Sequence, residues 1–149
     1  MPGRHLVHHL GVFAGDFAAS AAFYTAALAP LGIGAGYRTD SVAEFWQHGD
    51  DTPSVSLETA RTPEAVTRGL HLAFEAGSES EVDAFHREAV AAGGVSRHEP
   101  RYWPEYGTYA AFVSDPDGNN VEALIKRPLV PDDGPPDLGT PPETPRPAV

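Results

Sequence analysis

A chain of 149 residues with 21 acidic against 10 basic side chains has a formal net charge of −11, which argues against nucleic-acid and membrane partners because such a chain repels phosphates and anionic surfaces. It contains no cysteine, which excludes disulfides and thiolate chemistry, and no apolar run approaches the ~20 residues of a membrane span. The start, Met1-Pro-Gly-Arg-His5, lacks the apolar segment of a secretory signal, so the expected compartment is the cytoplasm.

Leu6 to Phe13 is an apolar stretch of strand length. Gly15-Asp16 interrupts it, and Asp16 suits the N-cap of a helix that runs to about Leu28 with Ser20, Phe23 and Ala27 along one side. Pro30 and the glycines at 32, 34 and 36 end that helix, and three short strands are expected around 33–39, 42–48 and 54–59. A short polar linker, Thr62 to Arg68, follows. Leu70 to Ala76 reads as another strand, and Ser78-Glu-Ser-Glu81 as a capping box for the next helix. Val82, Phe85, Ala89 and Ala92 form the apolar face of that helix, and Gly93-Gly94 stops it. Strands around 95–101, 108–114 and 119–126 complete the pattern. Asp115-Pro-Asp-Gly118 supplies the last hairpin turn, with proline presetting φ and glycine taking the left-handed position. Eight of the 15 prolines fall between Pro128 and Pro147, so residues 128–149 read as an extended or disordered tail beyond a domain of residues 1–127.

The two halves echo each other. His9-Leu-Gly-Val-Phe-Ala-Gly-Asp16 returns as His71-Leu-Ala-Phe-Glu-Ala-Gly-Ser78, an offset of 71 − 9 = 62 that also takes Phe23 to Phe85, Ala27 to Ala89 and Gly32 to Gly94. Two copies of one supersecondary unit are implied, residues 5–61 and 69–127, each strand–helix–strand–strand–strand, giving an α+β fold.

Strand alternation then groups the polar side chains. The repeat matches His9, not His8, to His71, and if the helices cover one face of each sheet both histidines point to the other. Val121, Ala123 and Ile125 would pack on a helix, which leaves Glu122 on the histidine face. Two imidazoles and a carboxylate suit Zn, Ni, Mn or Fe(II) with positions open for substrate, and Glu122 is the catalytic candidate. Glu58 is the rough counterpart of Glu122 in the first unit, and Glu75, on the His71 face, is a candidate for a second acid or base. His5, His48, His86 and His98 read as solvated or hydrogen-bonded side chains. Arg101, Tyr102, Trp103, Tyr106 and Tyr109 crowd one stretch broken by Pro100, Pro104 and Gly107, which reads as a loop; with Phe13, Phe45 and Trp46 they are the candidates for a substrate-binding rim.

These residues carry a resemblance to the vicinal oxygen chelate superfamily of glyoxalases, fosfomycin-resistance enzymes, bleomycin-binding proteins and extradiol dioxygenases. The matching segments are His9-Leu-Gly-Val with Asp16, Ala22-Phe-Tyr24, Leu28 to Gly32, His71-Leu-Ala-Phe74 and Ala111-Phe-Val-Ser-Asp-Pro-Asp-Gly-Asn-Asn-Val-Glu122. The resemblance implies paired βαβββ modules forming a cup-shaped mixed and antiparallel sheet, helices outside, around a divalent metal within a homodimer. It places His9, His71 and Glu122 at the ligand positions, with Glu58 where glyoxalase itself has a fourth ligand. The chain shows no obvious Arg or Lys cluster for the carboxylates of glutathione and no loop features for fosfomycin. A glyoxalase-like lyase or isomerase acting on a small oxygenated metabolite is the leading expectation. An Fe(II) ring-cleaving dioxygenase and a metal-free, bleomycin-resistance-like binding protein are the alternatives.

Overall fold

A computed structural model describes residues 6–50 and 53–127; the proline-rich tail, His5 and the rest of the N-terminal pentapeptide lie outside the described residues. The first unit comprises β1 (Leu10–Ala14), α1 (Phe17–Leu28), β2 (Ile33–Arg38), β3 (Val42–Gln47) and β4 (Pro53–Thr59); the second comprises β5 (His71–Glu75), α2 (Glu79–Ala91), β6 (Val95–Trp103), β7 (Thr108–Ser114) and β8 (Asn120–Lys126). Short 3-10 turns follow α1 at Ala29–Leu31 and fall within the linker at Pro63–Ala65. The expected α+β tandem is present as two four-stranded sheets of one topology, β1-β4-β3-β2 and β5-β8-β7-β6. In each, the first strand runs parallel to the last, and the remaining pairs are antiparallel. Among the described residues no helix is long and apolar enough to cross a membrane.

The local signals act as their chemistry requires. Asp16 Oδ1 accepts from the Ala19 N–H at 3.0 Å, and Ser78 Oγ accepts from the Glu81 N–H at 3.2 Å, each satisfying an orphan donor of a first helical turn. The Glu81 carboxylate reaches back to the Gly77 N–H at 2.6 Å, one residue beyond the Ser78 N–H of the usual reciprocal cap. Gly118 adopts φ 87 in the last hairpin turn, and its N–H closes on the Asp115 carbonyl at 3.0 Å.

Both helices pack against their own sheets and against each other, so the repeat shares one core. Phe23, Tyr24, Ala27 and Leu28 from α1 and Val82, Phe85 and Ala89 from α2 are buried with the inward residues of both sheets. Each large apolar side chain buried there contributes roughly 1.5–3 kcal/mol. Gly94 of the second unit lies close against Phe23 of the first: a Cβ there would lie 2.6 Å from Phe23, 2.6 Å from Val113 and 2.8 Å from the Ala89 carbonyl. A polar clamp joins them as well. The Tyr24 hydroxyl donates to Asp115 Oδ2 at 2.7 Å, and the Gly15 N–H donates to Asp117 Oδ2 at 3.1 Å. Asn119 accepts from Leu70 N and donates to the Thr67 carbonyl, tying the β7–β8 turn to the linker. With the helices on one side, the opposite face of each sheet is left open, and β1 and β5 are sheet edges.

Candidate functional site

The open face of the second sheet carries the pocket. Across β5, β8, β7 and β6 one rung reads Ala73, Glu122, Phe112, His98, and a second reads Lys126, Thr108, Trp103 across β8, β7 and β6. Alternation along β8 sends Val121 and Ala123 into the core with Ile125 packed beside them, and so turns Asn120, Glu122, Leu124 and Lys126 to the open side. Together with His71, Arg97 and Tyr106 these residues line a cavity of about 690 Å³. Its wall is aromatic. Trp103 stands edge-on to Phe112 at 5.4 Å between centroids, and His98 is edge-on to both, at 5.0 Å and 5.4 Å.

At its floor His71 Nε2 donates to Glu122 Oε2 at 2.7 Å. The pair is asymmetric: Glu122 is only 7% exposed, whereas His71 is an exposed residue. A buried carboxylate is costly unless hydrogen-bonded, paired or metal-bound, and the small Ala73 beside it leaves room for His71 to reach over from the strand edge. Such a pair offers an oriented imidazole for proton transfer, or two of the N and O donors a divalent metal takes.

His9 is not brought to this pair within one chain. It lies just ahead of β1, exposed, with Nδ1 2.8 Å from Nδ1 of His8, one ring donating to the other. Among the described residues no three His, Asp or Glu side chains gather closely enough to hold a metal ion, so the expected convergence is not met by a single copy. Glu58 lies opposite Phe13 in the β1–β4 ladder and lines a separate depression of the first unit with Phe13, Thr59, Arg61 and Ala65. Glu75 is exposed at the end of β5, opposite Leu124.

The aromatic candidates divide. Trp103 and Tyr106 line the main pocket, and the Arg101 guanidinium lies 3.4 Å above the Trp103 ring. Phe45 is a correction: it is 0% exposed, in the core against Tyr24, because Ala43 and Phe45 are the inward residues of β3. Trp46 points the other way, onto the open face of the first sheet over Gly36, away from the main pocket. Tyr109 is a second correction. It packs on the helix side of β7, its hydroxyl donating to Asp83 of α2 at 2.7 Å, a bond that pushes its phenol up to about 12. Tyr102 pairs with Tyr109 across the ladder, and its hydroxyl reaches the Arg127 carbonyl at 3.3 Å, so it too is off the pocket wall. Sequence reasoning missed His98, Arg97, Asn120 and Lys126. The last two follow from extending the Glu122 alternation along its own strand; His98 was obscured by two irregularities of register in β6, on either side of it. His86, expected to be hydrogen-bonded, meets Ser96 Oγ at 2.7 Å.

The model of the Glyoxalase/Bleomycin resistance protein/Dioxygenase superfamily matches residues 6–123. A search of curated proteins found no match. Among solved structures, a glyoxalase/bleomycin resistance protein from Albidiferax ferrireducens T118 is 31% identical with a TM-score of 0.70, over 82% of this chain and 99% of that one. A glyoxalase-related enzyme from Fulvimarina pelagi is 24% identical with a TM-score of 0.64, over 83% and 89%. A lactoylglutathione lyase from Agrobacterium tumefaciens is 22% identical with a TM-score of 0.58, over 83% and 95%.

Proposed function

Because the chain belongs to the glyoxalase/bleomycin resistance protein/dioxygenase superfamily, we propose that it is a metal-dependent enzyme of lyase or isomerase type, acting on a small metabolite with two neighbouring oxygens. The observation that carries this reading is the buried Glu122 carboxylate joined to His71 at 2.7 Å beneath an aromatic wall. Those two side chains would hold a divalent ion, with His9 of a second copy as the third donor. Three features favour a partner's contribution: His9 is exposed, it precedes an edge strand, and it sits at the margin of a sheet face that none of the described elements covers.

Bound there, the ion would polarise a substrate oxygen and stabilise negative charge developing on it. The protein's own residues account for the rest. Glu122, on the pocket floor, is the group suited to exchange a proton with the substrate, and before the ion binds His71 orients its carboxylate. The edge-on rings of Trp103 and Phe112 confine a flat substrate and keep water from its faces.

Protein purified without chelator or added metal is expected to carry about one divalent ion per chain by elemental analysis. His71→Ala and Glu122→Gln should abolish calorimetrically measured Mn²⁺ or Zn²⁺ binding. Metal-free wild-type protein with no affinity for any of Zn²⁺, Ni²⁺, Mn²⁺ or Fe²⁺ would end the proposal. The metal-free binding protein is the second reading, favoured by the fact that Glu122 and His71 already satisfy each other. In that case His71→Ala keeps its affinity for an aromatic ligand. Oxygen uptake during turnover would instead identify the dioxygenase.

A further inference from the structure

Resting on the site proposed above, we infer that the substrate carries a carboxylate at the end remote from its chelating oxygens, and that Lys126 binds it. Lys126 is the only lysine of a chain whose net charge is −11. It stands four residues beyond Glu122 on the same face of β8, on the order of 13 Å along the strand. The floor between them is apolar, made by Leu124 and the buried Ala110. Trp103 walls this stretch. Its indole N–H donates to the Ala110 carbonyl at 3.3 Å, and Arg101 caps the ring, so the wall is held in place from two sides.

The charge pattern selects the ligand. The pocket lining contains two cations, Lys126 and Arg97, against one carboxylate, Glu122, which His71 already engages. A positive lining in a strongly acidic protein focuses small anions and repels cations. The other cations near this sheet are committed elsewhere. Arg127 pairs with Glu79 at 3.0 Å, and Arg97 donates to Ser114 Oγ and the Gly118 carbonyl at 2.7 Å and 2.9 Å. Lys126 makes no ion pair among the described residues, and its compact ammonium is suited to a terminal oxyanion. The distance to Glu122 then sets the ligand's length: chelating oxygens at one end, a flat apolar middle along Trp103, a carboxylate at the other.

Titration calorimetry with 3-(3,4-dihydroxyphenyl)propanoate and its uncharged amide tests this, with and without Mn²⁺. Wild-type protein should prefer the acid by about 10-fold, the worth of a hydrogen bond to a charged group, and the preference should shrink with added salt. Lys126→Met should bind the amide as wild type does and lose the preference, whereas Lys126→Arg should keep it. The unchanged amide affinity shows that the variant pocket is intact. Equal affinities for acid and amide in wild type, a preference that survives in Lys126→Met, or no binding of either probe overturns the inference. The two proposals fail separately: an acid preference without any gain from Mn²⁺ strikes only the metal reading, and a gain from Mn²⁺ without the preference strikes only the lysine.

Discussion

Glu122 shows how a side chain suited to chemistry is held at a cost to the fold. Its carboxylate is buried on a sheet face, with His71 as its partner, and removing that partner strands a charge that water reaches poorly. In metal-free protein His71→Ala is therefore expected to lower unfolding stability in urea by about 1–3 kcal/mol. Glu122→Met should be neutral or stabilising, since an apolar group of similar volume removes the desolvation cost and His71 turns to solvent. Equal destabilisation by both would mean that the hydrogen bond outweighs the burial. At this scale the sequence was informative where strands are regular. Alternation placed Glu122 and His71 on one face because β5 and β8 carry no bulge. The same rule does not reach His9, because β1 begins one residue after it. Phe45 and Trp46 were grouped as neighbours, although adjacent strand residues face opposite sides, and only packing reveals which side is core.

The elements themselves were legible from caps and turns, whose chemistry is local: Asp16, Ser78 and Gly118 all act where expected. What the sequence did not reveal was the long-range clamp. Tyr24 on α1 donates to Asp115 in the β7–β8 turn, 91 residues away, and burial with that neighbouring carboxylate pushes the phenol well above its ordinary range. Tyr24→Phe is predicted to cost about 1–3 kcal/mol in urea unfolding, because Asp115 keeps its other donors while one buried bond is lost. The bond from Tyr109 to Asp83 of α2 gives a pH dependence instead. The folded state raises that phenol from 10.0 to about 12 and so binds more protons than the unfolded chain between those values. Stability from this bond is intact below pH 10.0 and is lost as the pH rises toward about 12. Denaturant midpoints compared at pH about 9.5 and about 11.5 should fall less for Tyr109→Phe than for wild type. An identical fall in both would remove Tyr109 as the cause.

For the whole molecule, the internal repeat announced the tandem units, but how they would meet was not written in it. The helices pack together and build one core, joined at Gly94 and the Asp115 turn, and among the described residues no element covers the two open sheet faces. The site proposed for His9, His71 and Glu122 would then be shared between copies, and the closed two-fold symmetry of the proposed homodimer would make two such sites, each taking His9 from one chain and the other two residues from its partner. His9→Ala and His71→Ala homodimers should each lose metal at both sites. When the two variants are unfolded together and refolded, half the dimers are mixed, and each of these has one site with all three donors and one with neither histidine. About a quarter of all sites should recover metal, read as bound Mn²⁺ against protein concentration. If each site were built within one chain, the mixture would recover none, since every chain carries a lesion.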